Sequence, residues 1–364
     1  MYNTFGTLFK LHSYGESHGS EIGGIIDGCP ANFKLDFDAI QAELDRRKPG
    51  QSELTTSRKE ADQVEFQSGI FEGKTTGTPI HFRIKNKDQR SKDYGNLSEV
   101  FRPSHADFTY QKKYGNRDFR GGGRASARET ACRVVAGAIA KQFLATKGIK
   151  IRACVSQIYD KQFTDYQNIE WDLVEGFQSR AAHSNYDKLF KKDIQKAKAD
   201  GDSLGGVIYT EVLQLPIGLG EPVFQKLHAQ LGAAILGINA CKGFEIGSGF
   251  SSSFMKGSEH NDAFVLDEKQ ENIRTKTNYS GGVQGGISNG ETLYFKAAFK
   301  PTATVIQHQK TVDKNLNIID LEIKGRHDPC VLPRAVPIVE AMTALCLFDA
   351  LLLHHSRQNP EINP

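Results

Sequence analysis

The densest chemistry in the sequence lies in Gly121-Gly122-Gly123-Arg124-Ala125-Ser126-Ala127-Arg128-Glu129-Thr130. Three successive glycines permit a tight bend and a close backbone approach to a ligand. Ser126 and Glu129 have the spacing of a capping box that opens a helix. Arg124 and Arg128 bracket that opening. Helix-terminal N–H groups and two guanidiniums together favour an anion, a phosphate or a carboxylate. The competing reading is a glycine turn that caps an ordinary helix.

Other polar loops repeat the pattern. Gly15-Glu16-Ser17-His18-Gly19 sets a serine and a histidine in a glycine-flanked turn. Adjacent side chains seldom meet as nucleophile and base, and no G-x-S-x-G elbow is present, so proton transfer at a ligand suits His18 better than a hydrolase role. Phe101-Arg102-Pro103-Ser104-His105-Ala106-Asp107 offers Arg102 and His105 to one anion. Gly325-Arg326-His327-Asp328-Pro329, followed by Arg334, reads as an acid/base site or a salt-bridged turn. An arginine beside Asp328 would hold the carboxylate ionised and ready to accept a proton. No spacing of ligands points to a metal. Lys300-Pro301-Thr302-Ala303-Thr304, Asn239-Ala240-Cys241-Lys242-Gly243 and Gly281-Gly282-Val283-Gln284-Gly285-Gly286 complete the set. Each alone reads as a turn, but together they are the class of loop in which function tends to reside.

The elements that must position these loops are partly visible. Asp36 caps a helix that runs to about Arg47 and is stopped by Pro49-Gly50. The helix after Ser126 carries an apolar stripe at positions 131, 134, 135, 138, 139 and 143. Pro222 is expected to start a third helix and Pro337 a fourth, running from Ile338 to about Leu353 and apolar nearly all round. Residues 187–202 read as a charged surface helix. The runs 206–213 and 292–299 alternate as antiparallel strands do. No regular βαβ rhythm is present, so the expected class is α+β. No linker or repeat divides the chain, and residues 1–364 are read as one domain.

The 364 residues carry a net charge of only +3, which disfavours a nucleic-acid binder. Eleven of the 17 arginines nevertheless fall between Arg46 and Arg133, which suits a small, multiply charged anion. Six cysteines without a C-x-x-C pair fit reduced thiols in a cytoplasmic protein. No signal peptide is legible, and the apolar window 341–353 is too short to cross a bilayer. A phosphate-binding or phosphotransfer protein and an arginine-rich RNA-binding module remain as alternatives. The first lacks a Walker lysine and an Asp pair for Mg²⁺, the second an aromatic-basic motif.

In order along the chain, Gly15-Glu-Ser-His-Gly19, Asp45-Arg-Arg-Lys-Pro-Gly50, Asp62-Gln63-Val64, Arg102-Pro-Ser-His-Ala-Asp107, residues 121–133, Gly218-Leu-Gly-Glu-Pro222, Asn239-Ala240, Lys300-Pro-Thr302 and Gly325-Arg-His-Asp-Pro329 resemble chorismate synthases over essentially the full length. The resemblance implies a β-α-β sandwich of antiparallel sheets around central helices, assembled as a homotetramer. It implies a lyase that eliminates phosphate from 5-enolpyruvylshikimate 3-phosphate in an anti-1,4 sense, in the shikimate pathway. Reduced FMN would be needed without net redox change, supplied by an external flavin reductase or another source.

Carried over residue by residue, His18 would serve the departing phosphate, His105 the reduced flavin near its N1–C2 edge, and Asp328 flavin N5, with Ser17 and Ser126 assisting. The flavin set would be Arg124, Ala125, Ser126, Asn239, Ala240, Gly285, Lys300, Pro301, Thr302, Ala303, Thr304 and Arg326. Arg47, Arg102, Arg128 and Arg334 would meet the substrate's phosphate and carboxylates. Glu53 stands where many members carry an arginine assigned to NADPH or substrate, which leaves Arg47 as the remaining NADPH marker. Ala125 replaces a frequent serine. Ser104 replaces a common glycine, a change expected to be tolerated at negative φ.

Overall fold

The computed structural model describes residues 3–55, 60–86, 98–321 and 328–358. Two five-stranded antiparallel sheets form its outer layers. The first runs, edge to edge, Thr4–Phe5, Lys10–Gly15, Glu21–Asp27, Ile80–Lys85 and Val64–Phe66. The second runs Cys241–Ile246, Leu293–Phe299, Gly206–Leu213, Lys150–Ile158 and Lys161–Gln162. The two strands legible from alternation pair directly, Thr210 opposite Phe295. In Leu293–Phe299 the inward positions Leu293, Phe295, Ala297 and Phe299 are buried in strict alternation, the period that a strand imposes.

Helices fill the space between the sheets. Thr130–Ala145 packs against the first sheet and against the C-terminal helix Leu332–Arg357, which lies on the second. The two helices approach closely because residue 137 is glycine: a Cβ there would lie 2.4 Å from that of Ala341. Phe33, Phe143 and Phe348 stack, with centroids 3.9 and 4.8 Å apart, and Phe9 meets Phe348 edge-on at 5.0 Å, which ties loops beside the first sheet to both helices. The β-α-β sandwich expected from the sequence is the fold observed.

Helix starts explain most of the local differences. Asp36 caps Phe37–Arg47 as expected, its carboxylate accepting from Ala39 N at 2.9 Å. The third helix begins at Leu227 and not at Pro222, because Gln225 at φ 65° lies in the left-handed region and breaks any helix between them. The charged helix is Ser184–Ala199, three residues upstream of the expected span, because His183 is its cap, accepting from Asn185 N at 3.2 Å, while Asp187 turns inward to accept from Ser179 N and Oγ.

Pro337 does not open the last helix. It sits inside Leu332–Arg357, where its ring removes the bond that Pro333 O would receive. Arg180 Nη1 donates to that carbonyl instead, so the helix continues through the proline. The result is 26 residues with mean hydropathy of 2.0 over its most apolar stretch, enough by length and composition to cross a membrane. Yet 78% of that stretch is buried inside the protein, as in a core helix.

Glu340 binds four elements together. Its carboxylate accepts from Ala153 N at 3.1 Å, from Arg46 Nη1 at 2.6 Å and from Lys141 Nζ at 2.6 Å. Burial pushes its pKa up, but Arg46 and Lys141 outweigh burial and bring it to about 2. A depressed carboxylate stabilises the fold above its unfolded pKa of about 4.3, and that contribution disappears as pH falls toward the folded value. Glu340→Gln should therefore cost about 1–3 kcal/mol at neutral pH. It should also flatten the loss of unfolding free energy between about pH 4.3 and 2 seen in the wild type. Denaturant unfolding across that range measures both.

Candidate active site

The Gly15–Gly19 loop joins Lys10–Gly15 to Glu21–Asp27 and is pressed onto the triple glycine. A Cβ on Gly121 would lie 2.2 Å from His18 Nδ1, so only glycine leaves room for the imidazole. Ser17 N donates to Gly123 O at 3.4 Å. Contrary to expectation, the neighbouring side chains do meet: Ser17 Oγ and His18 Nδ1 are 3.1 Å apart. Ser17 is only 2% exposed and is therefore not presented as a nucleophile.

The 102–107 loop reaches the same glycines. Arg102 Nη2 donates to Gly121 O at 3.3 Å. His105 lines a cleft of about 260 Å³ whose other walls include Glu16, Tyr110, Asp118, Arg120 and residues 121–124. Asp107 accepts from Arg102 Nε at 2.7 Å, and its Oδ1 lies 2.8 Å from His105 Nδ1. Ser104 departs from expectation, since its φ is +59°. An L-residue there costs about 1–2 kcal/mol. The contact of Lys300 Nζ with Ser104 Oγ, at 3.3 Å, helps to hold it.

Three arginines gather behind this cleft around two carboxylates. Asp62, with no exposed side-chain area, accepts from Arg47 Nη1 at 2.8 Å and from Arg128 Nη1. Arg334 donates through Nε to Arg47 O at 3.1 Å and through Nη1 to Asp328. Burial pushes Asp62 up, but Arg47 and Arg128 together hold it below the usual carboxylate range. Burial, with Arg334 and Arg128 nearby, lowers Arg47 to about 10, still cationic at neutral pH. Asn86 links the cluster to His18's loop. Its Oδ1 accepts from Arg128 Nε at 2.8 Å and its Nδ2 donates to Glu16 O and Gly19 O.

The expected flavin residues form a chain of contacts beside the cleft. Asn239 Nδ2 donates to Ala125 O at 2.9 Å, and Lys300 N donates to Ala240 O at 3.0 Å. Thr302 Oγ1 donates to Asp328 O at 3.0 Å, with Pro301, Ala303 and Thr304 in the same run. Arg124 is held by Ser13 Oγ at 2.8 Å and by Gly15 O at 3.2 Å, and has no carboxylate partner among the described residues. Ser126 caps the next turn by accepting from Arg128 N, but Glu129 does not close a capping box; it pairs with Arg133 at 2.7 Å.

Gly285 stands apart, in the turn of a hairpin whose Gly286 O accepts from Leu227 N. No described hydrogen bond or shared cavity joins it to the other residues expected to hold a flavin. Arg326 lies outside the described residues. Glu53 is exposed, with its carbonyl accepting from Lys198 Nζ at 2.8 Å.

The comparison with known proteins decides what this geometry belongs to. The model of the family described as chorismate synthase matches residues 9–352. The chain belongs to the chorismate synthase family. It is 54% identical to the chorismate synthase of Christiangramia forsetii over 355 residues, 97% of this chain and 98% of that one. It is 56% identical to that of Parabacteroides distasonis over 358 residues, 98% and 99% of the two chains. A solved structure titled "Crystal Structure of Chorismate Synthase" superposes with a TM-score of 0.77 at 31% identity, covering 96% of this chain and 93% of that one.

Sequence reading missed three residues that build the site. Asp62 and Asp107 stood inside quoted motifs without a role, and Asn86 carried no signal at all. Asp107 stands five residues from Arg102, a common spacing, and Asp62 pairs with arginines 15 and 66 residues away, so only burial sets the two apart.

The Gly121–His18 contact yields a direct test. Gly121→Ala has no φ penalty, since Gly121 is not in the left-handed region, but its methyl must displace the imidazole. Turnover should fall on the order of 100-fold or more, with a melting temperature within a few degrees of wild type. Steady-state kinetics and thermal unfolding check it; an unchanged turnover would remove His18's position from the account.

Proposed function

We propose that the chain is a carbon–oxygen lyase that converts 5-enolpyruvylshikimate 3-phosphate to chorismate and phosphate by anti-1,4 elimination, with reduced FMN as cofactor. One observation carries the reading. Loops separated by a hundred residues in sequence meet at Gly121, with His18 packed against its backbone, Arg102 bonded to its carbonyl, and His105, Arg117, Arg120 and Arg124 lining the cleft beside it.

The residues present fit a flavin. Asn239 Oδ1 is buried with no hydrogen-bond partner among the described residues, an acceptor suited to a ring N–H. Arg124 supplies a cation without a carboxylate partner among the described residues, and the Gly123 backbone an open approach for a phosphate. Reduced FMN, when bound, supplies an electron transiently and recovers it, so the elimination has no net redox change.

The protein's own groups do the rest. His18 holds a proton for the departing phosphate. With the flavin bound, His105 would hold a proton for its N1–C2 edge, and Asp328 would accept one from N5. Ser17 bonds to His18, and Ser126 fixes the turn that carries Arg128. Arg47, Arg102, Arg128 and Arg334, each fixed by Asp62, Asp107 or Asp328 before substrate arrives, would act on charge developing on a leaving phosphate through a preorganised positive field. All three Arg47 nitrogens are already engaged, by Thr130 Oγ1, Asp62 and Ala127 O. That and the exposed Glu53 weigh against an NADPH site, so reduced flavin comes from outside the chain.

One continuous core spanning both sheets supports a single domain. Phe250 and Phe254, 79% and 90% exposed near the edge strand Cys241–Ile246, suit a surface covered in a homotetramer. Six unpaired, buried cysteines suit the cytoplasm.

Under anaerobic conditions the protein should release chorismate and phosphate in equal amounts only when both substrate and reduced FMN are present. His18→Ala and His105→Ala should each lose on the order of 100-fold or more in turnover while folding normally. Absence of chorismate with both components present would overturn the reading.

A further inference from the structure

Asp107 makes contacts that its proposed neighbours need but that no family resemblance assigned to it. Its carboxylate is 4% exposed. Oδ2 accepts from Arg102 N at 3.2 Å and Arg102 Nε at 2.7 Å, while Oδ1 accepts from Arg102 Nη2 at 2.8 Å. Arg117 Nη1 lies 3.1 Å from Oδ1, and the Arg117 guanidinium is itself held by Ser98 O and Val100 O over the Phe101 ring. His105 Nδ1 is 2.8 Å from the same Oδ1 and 3.0 Å from Arg102 Nη2.

These distances fix who donates. Burial pushes Asp107 up, but its contacts with Arg102 and His105 prevail and hold it far below the usual carboxylate range. An ionised carboxylate only accepts. A neutral ring at 2.8 Å from Oδ1 must therefore present Nδ1–H, and the 3.0 Å separation from Arg102 is that of two donors sharing one acceptor. His105 Nε2 has no described hydrogen-bond partner and is left as the ring's reactive nitrogen.

We infer that Asp107 is a positioning residue that sets His105 in the Nδ1–H tautomer, with Nε2 free for the cleft, and at the same time immobilises Arg102 against the Gly121 carbonyl. The claim rests on the proposed role of His105. Two guanidiniums clamp the carboxylate, so it orients the imidazole without moving to take its proton. The arrangement obeys the general rule that the tautomer of a working histidine is set by the bond its other nitrogen makes.

The test reads the ring itself, without flavin or substrate, so it stands apart from the activity assay. Protein labelled with ¹⁵N-histidine is examined by solid-state NMR at alkaline pH, where the rings are neutral, and the His105 signals are assigned by their absence in His105→Gln. The wild type should show a protonated Nδ1 and a pyridine-type Nε2. Asp107→Asn should shift the ring toward Nε2–H and lower kcat on the order of 100-fold or more, with KM changed less than about threefold. A wild-type ring protonated at Nε2, or an Asp107→Asn enzyme with unaltered kcat, overturns the inference. If Asp107→Asn fails to fold, the wild-type spectrum decides alone.

Discussion

The site depends on one buried carboxylate. Asp62 has no exposed side-chain area and lies between Arg47, from the end of the Phe37–Arg47 helix, and Arg128, from the turn before Thr130–Ala145. Neither guanidinium reaches water freely, so each needs a counter-charge where it stands. From this centre the contacts radiate. Arg47 bonds to Thr130 and Ala127, its carbonyl receives Arg334 from the C-terminal helix, and Arg128 reaches Asn86, which ties down the His18 loop. Positions distant in sequence are thereby fixed relative to one another.

A second constraint is steric. His18 rests against a backbone without a side chain at Gly121, and Arg102 binds the carbonyl of that same residue. Loops are ordinarily the least rigid parts of a protein. Here both loops are fastened, one by Ser17 N on Gly123 O and the other by Arg102 on Gly121 O and Asp107, which holds their histidines in place. The proposed flavin residues share the plan: the Asn239 side chain donates to Ala125 O, and Lys300 N donates to Ala240 O.

What could be read from the sequence was what is local. The stripe on Thr130–Ala145 follows from helical period, and Asp36 and Ser126 are caps whose partners lie within three residues. Pro337 was misleading because its remedy comes from Arg180, 153 residues from the carbonyl it satisfies. Ser104 adopts a positive φ that its type does not announce. His18, His105, Arg102, Arg128 and Arg334 stood out because their residue types carry chemistry. The carboxylates that hold them did not, since pairing across 15 or 66 residues leaves no trace in spacing.

The most direct measurement is reversible urea unfolding of Asp62→Ala beside a variant in which Asp62, Arg47 and Arg128 are all replaced by apolar residues. Leaving two buried guanidiniums without their counter-ion should cost Asp62→Ala about 3–5 kcal/mol, and the triple replacement should recover a substantial part of that loss. Wild-type stability in Asp62→Ala would contradict the account.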